Sequence, residues 1–226
     1  MSDRVAVVAG AGGPLGRAVA VKLVSEGFAV VGIDRNEDEL RGLPDGIRRV
    51  PGDPADPAVS KTLLDRVVAE SGAPDVLVNT IGTFTMGDVL SATPDQVRLM
   101  MDVNAGAALW LTQAVVPYMR QRGSGAIVHV SARPAAEPTA GLAAYSLSKA
   151  ALSHLVRILD LELRPHGIRV NAVAPALIDT AKNRSFVPPE VMAHSVTPEA
   201  IAEVIAFLAS DAAAPVSGAI LPAYGA

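Results

Sequence analysis

Tyr145 and Lys149 stand four residues apart in the run AAYSLSKAAL. One helical turn separates them, so both side chains share a face. A phenol beside an ammonium is a general acid/base pair. The phenol's ordinary pKa, about 10, is too high for work near neutral pH. A positive charge about 4 Å away at an effective dielectric near 20 favours the phenolate by up to ~4 kcal/mol. At about 1.4 kcal/mol per pK unit, the ammonium is therefore expected to lower the tyrosine by two to three units at most. On an isolated helix the same spacing is an ordinary surface pair. Here it follows a glycine-rich turn, an acidic residue after a second strand and an asparagine after a fourth.

The elements that must hold the pair alternate in hydrophobic period. Val5–Gly10 (VAVVAG) is a short β-branched run, read as a buried strand. Further strands are expected at Ala29–Ile33, Ile47–Val50, Asp75–Asn79, Ala126–Ser131, Ile168–Ala174 and Ala219–Pro222. Helical spacing marks Leu15–Glu26, Val59–Ser71, Pro94–Arg122 with a break near Val103–Asn104, Leu142–Arg164 and Pro198–Ser210. Strand–helix alternation predicts right-handed crossovers, hence an α/β fold: a doubly wound parallel sheet, Rossmann-like, in a single domain over residues 1–226. Ligands bind such sheets beyond the carboxyl ends of the strands. Gly10, Asp34, Asn79, Ser131, Ala132 and Pro175 all fall at those ends.

Ala9–Gly16 (AGAGGPLG) joins the first strand to the first helix. Its glycines Gly10, Gly12, Gly13 and Gly16 let the backbone approach a diphosphate at a helix N-terminus. Asp34 closes the second strand, where a carboxylate accepts hydrogen bonds from ribose hydroxyls and repels a 2′-phosphate. This favours NAD. The neighbouring Arg35 is able to neutralise a phosphate and leaves NADP open.

Composition narrows the classes. The chain has 226 residues, half of them apolar, a net charge of −4 and no cysteine. These values support one domain with a full core, give no electrostatic case for nucleic acid or an anionic membrane, and exclude disulfides and thiolate chemistry. The four histidines show no metal-ligand spacing, so no metal site is expected. The start lacks the apolar stretch of a signal peptide, and the longest uncharged run, Val103–Met119, is short and polar for a span. A cytoplasmic protein is the expectation.

These residues together resemble the short-chain dehydrogenases/reductases along nearly the whole chain. The resemblance rests on the glycine-rich turn, Asp34, Asp53, NTIG (Asn79–Gly82), Asn104 in DVNAG, YSLSK (Tyr145–Lys149) and GIRVNAVAPALIDT (Gly167–Thr180). It implies reversible hydride transfer between a nicotinamide and an alcohol or carbonyl. Tyr145 would be the proton donor or acceptor, Lys149 would tune it and hold the nicotinamide ribose, and Asn104 would support a proton relay. Gly10, Gly12, Gly13, Leu15 and Gly16 would surround the diphosphate. Asp53 would reach the adenine, Asn79, Ile81 and Gly82 the adenosine side, and Pro175, Ile178 and Thr180 the nicotinamide end. A lid over a small-molecule substrate is expected at about 180–198.

The pattern fails in one important place. The family's catalytic serine stands thirteen residues before the tyrosine, and this chain has Ala132 there. Ser131 is adjacent, but neighbouring strand residues face opposite sides, so it takes over only if the chain kinks. Losing one such donor costs about 10²–10³ in kcat. Arg133, the substrate loop or the substrate itself are the other sources of a donor. Pro14 replaces a glycine but suits the first helical turn. Besides an NAD(P)-dependent oxidoreductase, two readings stay open: a dinucleotide-binding sensor or partner subunit of little turnover, and a non-redox isomerase or lyase using Tyr145. The apolar helices Val103–Met119 and Leu142–Leu163 predict a homodimer or homotetramer.

Overall fold

The computed structural model describes residues 4–225. Seven strands form one sheet: β1 (Val5–Ala9), β2 (Ala29–Asp34), β3 (Arg48–Pro51), β4 (Val76–Asn79), β5 (Gly125–Val130), β6 (Ile168–Pro175) and β7 (Ile220–Ala223). All pairings are parallel, in the order β3-β2-β1-β4-β5-β6-β7. The order reverses between β1 and β4, the switch point where such sheets take ligands. The fold is Rossmann-like, as the alternation of periods predicts.

Alternate residues of the strands feed two cores. One face carries Val7, Leu77 and Ile127 against α3 (Pro57–Ser71), α5 (Ala107–Arg122) and α6 (Ala143–Leu163). The other carries Ala6, Val8 and Val128 against α1 (Pro14–Ser25) and α9 (Pro198–Ala209). Strands buried on both faces explain why β1 and β4 read as unbroken apolar runs. Side-chain caps set the helix starts: Asp56 accepts from the backbone of Ala58 and Val59 at α3, and Thr197 from that of Ala200 at α9. Such caps contribute about 1 kcal/mol each.

Four local features differ from the sequence expectation. A short helix, α2 (Glu37–Arg41), follows β2, capped by Asn36. The expected break near Asn104 is a π-turn at Asp102–Gly106 that joins α4 (Pro94–Met101) to α5 without interruption. That joined helix, Pro94–Arg122, is long and apolar enough to cross a membrane by length and composition, but it packs on the sheet beside α3. The lid contains two single-turn helices, α7 (Ala181–Arg184) and α8 (Pro189–Met192). Its base is closed by the Asp179 amide donating to the Val196 carbonyl and the Val196 amide to the Leu177 carbonyl, both at 2.8 Å.

Candidate active site

The glycine-rich turn is compact because side chains do not fit in it. A Cβ on Gly16 would lie 2.0 Å from the Gly10 carbonyl oxygen, backbone that has no freedom to retreat. Gly10 has φ +81, open to glycine at no steric cost, and a Cβ there would meet Thr80 Oγ1 at 2.7 Å. Asp34 pins the turn from the side: Oδ2 accepts from the Gly12 amide and Oδ1 from the Asn36 amide, each at 3.0 Å. Pro14 opens α1, where its missing N–H has no helical partner. The first-turn amides of Leu15 and Gly16 point out of the helix start, at the positive end of its dipole.

A cavity of about 610 Å³ runs from this turn to the lid. That size lies within the roughly 300–1,000 Å³ of small-molecule and cofactor sites. Gly10, Gly13, Leu15 and Gly16 line one end, Gly82, Tyr145 and Lys149 the middle, and Pro175, Ile178 and Thr180 the floor toward the lid. A glycine cradle, a helix N-terminus and a carboxylate at the end of β2 are the parts a dinucleotide needs, and the residues present fit one. Asp34, Arg35 and Asp53 stand outside the cavity wall, at the rim beyond β2 and β3. Arg35 faces Asp53 across 3.7 Å and is largely exposed.

Lys149 is buried, and its ammonium donates to the Val130 carbonyl at 2.8 Å. Burial lowers its pKa to about 8. Burial raises the Tyr145 phenol to about 12. This reverses the direction expected from the sequence. Desolvation of the phenolate outweighs the attraction of an ammonium that is itself desolvated and turned to a backbone carbonyl. Burial thus favours the protonated phenol.

Asn104 lies in the π-turn and is fully buried. Its Oδ1 accepts from the Thr83 amide and its Nδ2 donates to the Thr83 carbonyl, both at 2.9 Å. The same Nδ2 donates to Ser148 Oγ at 2.9 Å, and Ser148 donates to the Tyr145 carbonyl at 2.8 Å. Asn104 thus ties the chain after β4 to the helix that carries Tyr145. A Cβ on Gly82 would sit 3.2 Å from both Asn104 Oδ1 and Lys149 Nζ, so the three converge. Ser148 has no counterpart in the sequence reading, although its position three residues after Tyr145 is the signal that places it on the same turn.

Asn79 is brought to the site through its turn and not its side chain. Its Oδ1 accepts from the Ile81 amide at 3.0 Å, and its Nδ2 lies 3.4 Å from His129 Nδ1. The amide is buried and committed inward, while Ile81 and Gly82 follow on the turn it fixes.

Ser131 borders the cavity, but its hydroxyl is engaged away from it. The chain stays extended through Ala132, with φ −160 and ψ 155, and turns only at Arg133. Alternation therefore holds. Ser131 Oγ is 2.7 Å from Ser153 Oγ and 3.3 Å from the Lys149 carbonyl, packed under α6. Ala132 presents a methyl to the cavity. Arg133 is engaged by Glu137 at 2.6 Å and lies over the Tyr224 ring. Arg184 makes a two-pronged contact with Asp179 at 2.6 and 2.7 Å.

At the substrate end the sequence pointed to the lid segment but not to its aromatic partners. Phe84 meets the Tyr145 ring edge-on, centroids 6.1 Å apart, and stacks on Phe186 at 5.8 Å. Met86, Leu142, Val187 and Pro188 complete an apolar wall.

A doubly wound parallel sheet with a glycine cradle at its switch point, and a phenol and ammonium facing the same cavity, define an α/β protein of the Rossmann-like class. The family model "short chain dehydrogenase" matches residues 4–190. The short-chain reductase protein NovJ of Streptomyces niveus is 34% identical over 229 residues, covering 92% of this chain and 87% of that protein. An uncharacterized oxidoreductase of Staphylococcus aureus strain N315 is 29% identical over 92% of this chain and 91% of its own. Among solved structures, a 7α-hydroxysteroid dehydrogenase complexed with NADH and 7-oxo glycochenodeoxycholic acid superposes with a TM-score of 0.93 at 30% identity, covering 99% of this chain and 94% of that one. A gluconate 5-dehydrogenase from Burkholderia cenocepacia J2315, in complex with NADP and tartrate, gives 0.92 at 26% identity, covering 100% and 95%. The chain belongs to the short-chain dehydrogenase family and is an oxidoreductase of that family.

Proposed function

We propose that the protein interconverts a small-molecule alcohol and a carbonyl by NAD(P)-dependent hydride transfer, with Tyr145 as the general acid/base. The observation that carries this reading is the cavity shared by the glycine cradle, Lys149 and Tyr145. When bound, the nicotinamide supplies the hydride in reduction and takes it up in oxidation.

The chain's own residues have separate tasks. Leu15 and Gly16 offer helix-start amides to the diphosphate, and Gly10, Gly12 and Gly13 keep the turn low enough for it to approach. Asp34 retains lone pairs for the ribose hydroxyls beyond the two backbone amides it already accepts. This supports NAD over NADP. Asp53 and Arg35 border the adenine, Asn79 and Ile81 shape the adenosine side, and Pro175, Ile178 and Thr180 flank the nicotinamide. Tyr145, protonated at neutral pH, delivers its proton to the carbonyl oxygen as the carbonyl is reduced. Lys149, with its pKa near 8, is matched to return a proton to the phenolate and to hold the nicotinamide ribose. Asn104 holds the loop at Thr83 and the tyrosine's helix in one frame.

Exposed Leu147, Ile158 and Leu161 on α6 and Leu99 on α4 support assembly as a homodimer or homotetramer, and a cytoplasmic setting suits an oxidoreductase using a soluble cofactor. Ala132, with the Ser131 hydroxyl held by Ser153, favours as second reading a dinucleotide-binding subunit of low turnover. The test is NAD(P)H oxidation at 340 nm against a carbonyl panel, with Tyr145→Phe alongside. Turnover lost by at least a hundredfold in the variant, with dinucleotide affinity kept, is expected. Tight dinucleotide binding with no turnover on any carbonyl would leave the low-turnover reading standing instead.

A further inference from the structure

We propose that the substrate is an uncharged aryl ketone bearing a hydroxyl ortho to the carbonyl, and that this hydroxyl supplies the hydrogen bond that the methyl at position 132 does not. The inference rests on the oxidoreductase reading above and deepens it.

The site leaves the reacting oxygen short of one donor. Ala132 offers a methyl, and Ser131 is spent on Ser153 and the Lys149 carbonyl. Other polar groups of the wall have work of their own. Thr80 donates to the Ala9 and Gly10 carbonyls, Thr180 caps α7, and the Asn183 amide donates to the Ile178 carbonyl. Thr83 lines the wall, its backbone held by Asn104. Tyr145, with the Thr83 hydroxyl as the one competing side-chain donor on the described wall, faces an oxygen that gains negative charge in the transition state. A second donor there is worth about 10²–10³ in rate.

The wall also selects the body that carries the oxygen. Among the described lining residues there is no carboxylate, and Lys149 is the only cation. Phe84 is packed between the Tyr145 ring and Phe186, with Lys182 Nζ 5.9 Å from its centroid, so the three rings form an aromatic wall beside the phenol. Ring-on-ring contact of this kind contributes about 0.5–1.5 kcal/mol beyond area burial. A flat aryl ketone packs against this wall and places its carbonyl at Tyr145. An ortho hydroxyl closes a six-membered hydrogen-bonded ring onto the carbonyl oxygen and travels with the substrate.

The step balances. The carbon–oxygen π bond breaks as a carbon–hydrogen bond forms with the hydride pair of NAD(P)H, which leaves as NAD(P)⁺. The oxygen takes the Tyr145 proton. The ortho hydroxyl keeps its own proton and only donates a hydrogen bond throughout.

The test compares kcat/KM with NAD(P)H for 2-acetylphenol, acetophenone and 2-methoxyacetophenone on the native protein, Ala132→Ser and Thr83→Val. The native protein is expected to favour 2-acetylphenol at least tenfold over both others. Ala132→Ser is expected to raise acetophenone at least tenfold and 2-acetylphenol little. The ratio of these two changes cancels the ketones' intrinsic reactivities. Thr83→Val is expected to leave the preference intact. Equal gains on both ketones in Ala132→Ser, or a preference that collapses in Thr83→Val, would overturn the proposal. Should Ala132→Ser not fold, the native hydroxy-to-methoxy ratio decides, for the proposal at tenfold or above and against it below. Reduction of other carbonyls but of no aryl ketone overturns this inference alone; no reduction of any carbonyl overturns the oxidoreductase reading with it.

Discussion

Acid should destabilise this protein through one buried imidazole. His129 is fully buried on β5, with Nε2 3.3 Å from Thr112 Oγ1 and Nδ1 3.4 Å from Asn79 Nδ2. The Thr112 hydroxyl donates to the Ala108 carbonyl at 2.7 Å, so toward His129 it accepts. The neutral tautomer with its proton on Nε2 satisfies both neighbours. A second proton on Nδ1 would face the Asn79 amide donor. Burial, and secondarily the Lys149 charge, lower the pKa from 6.5 to about 3. Between those values the unfolded chain binds the extra proton and the folded chain does not, so stability rises with pH across that window. At about 1.36 kcal/mol per pK unit, His129 removes roughly 2 kcal/mol at pH 5 and up to roughly 5 kcal/mol below pH 3. Urea unfolding from pH 7 to 4 on the native protein and His129→Gln measures this. Gln carries a donor and an acceptor but does not titrate. The native protein should lose roughly 2 kcal/mol more than the variant between pH 7 and 5. Parallel curves, or an imidazole NMR resonance of His129 that titrates near 6, would refute the reasoning.

Other consequences are as direct. Gly16→Ala drives a Cβ into the Gly10 carbonyl; a loss of about 1–3 kcal/mol in urea unfolding and of dinucleotide binding by fluorescence is expected. Lys149→Met removes turnover and a pH dependence together. With Lys149 near 8 when folded against 10.5 otherwise, the buried ammonium costs roughly 3 kcal/mol below pH 8. Native stability should recover part of that between pH 8 and 10.5, and the variant should not. Asp34→Ser removes the charge that opposes a 2′-phosphate, and should lower the NADH-to-NADPH ratio of kcat/KM at least tenfold; an unchanged ratio would place cofactor selection elsewhere.

Much of this was legible in the chain because the local signals agree with the global fold. β-branched runs ended by Gly10, Asp34 and Asn79 marked the strand ends, and the spacing of Tyr145 and Lys149 marked the helix face. What escaped had no local signal. α2 is five residues long with only Leu40 buried, too short to show a period. Asn104 looked like a helix break because a π-turn adds a residue to the repeat without ending the helix. The Phe84–Phe186 stack joins distant segments, and no periodicity links them. The tyrosine's raised pKa depends on how deeply the fold buries it, which spacing does not encode. Where the Ser131 hydroxyl goes depends on the backbone direction at Ala132 and on Ser153 of α6, which no local pattern encodes.

The most direct measurement follows one deuterium. With the native protein, a reducible ketone and NAD(P)D carrying deuterium at C4, on the face the protein uses, mass spectrometry of the product reads where the label goes. The account predicts one deuterium on the carbinol carbon of the alcohol, in step with NAD(P)D consumed, and none formed by Tyr145→Phe. Product without label and without cofactor consumed, or labelled product made equally fast by Tyr145→Phe, would contradict it.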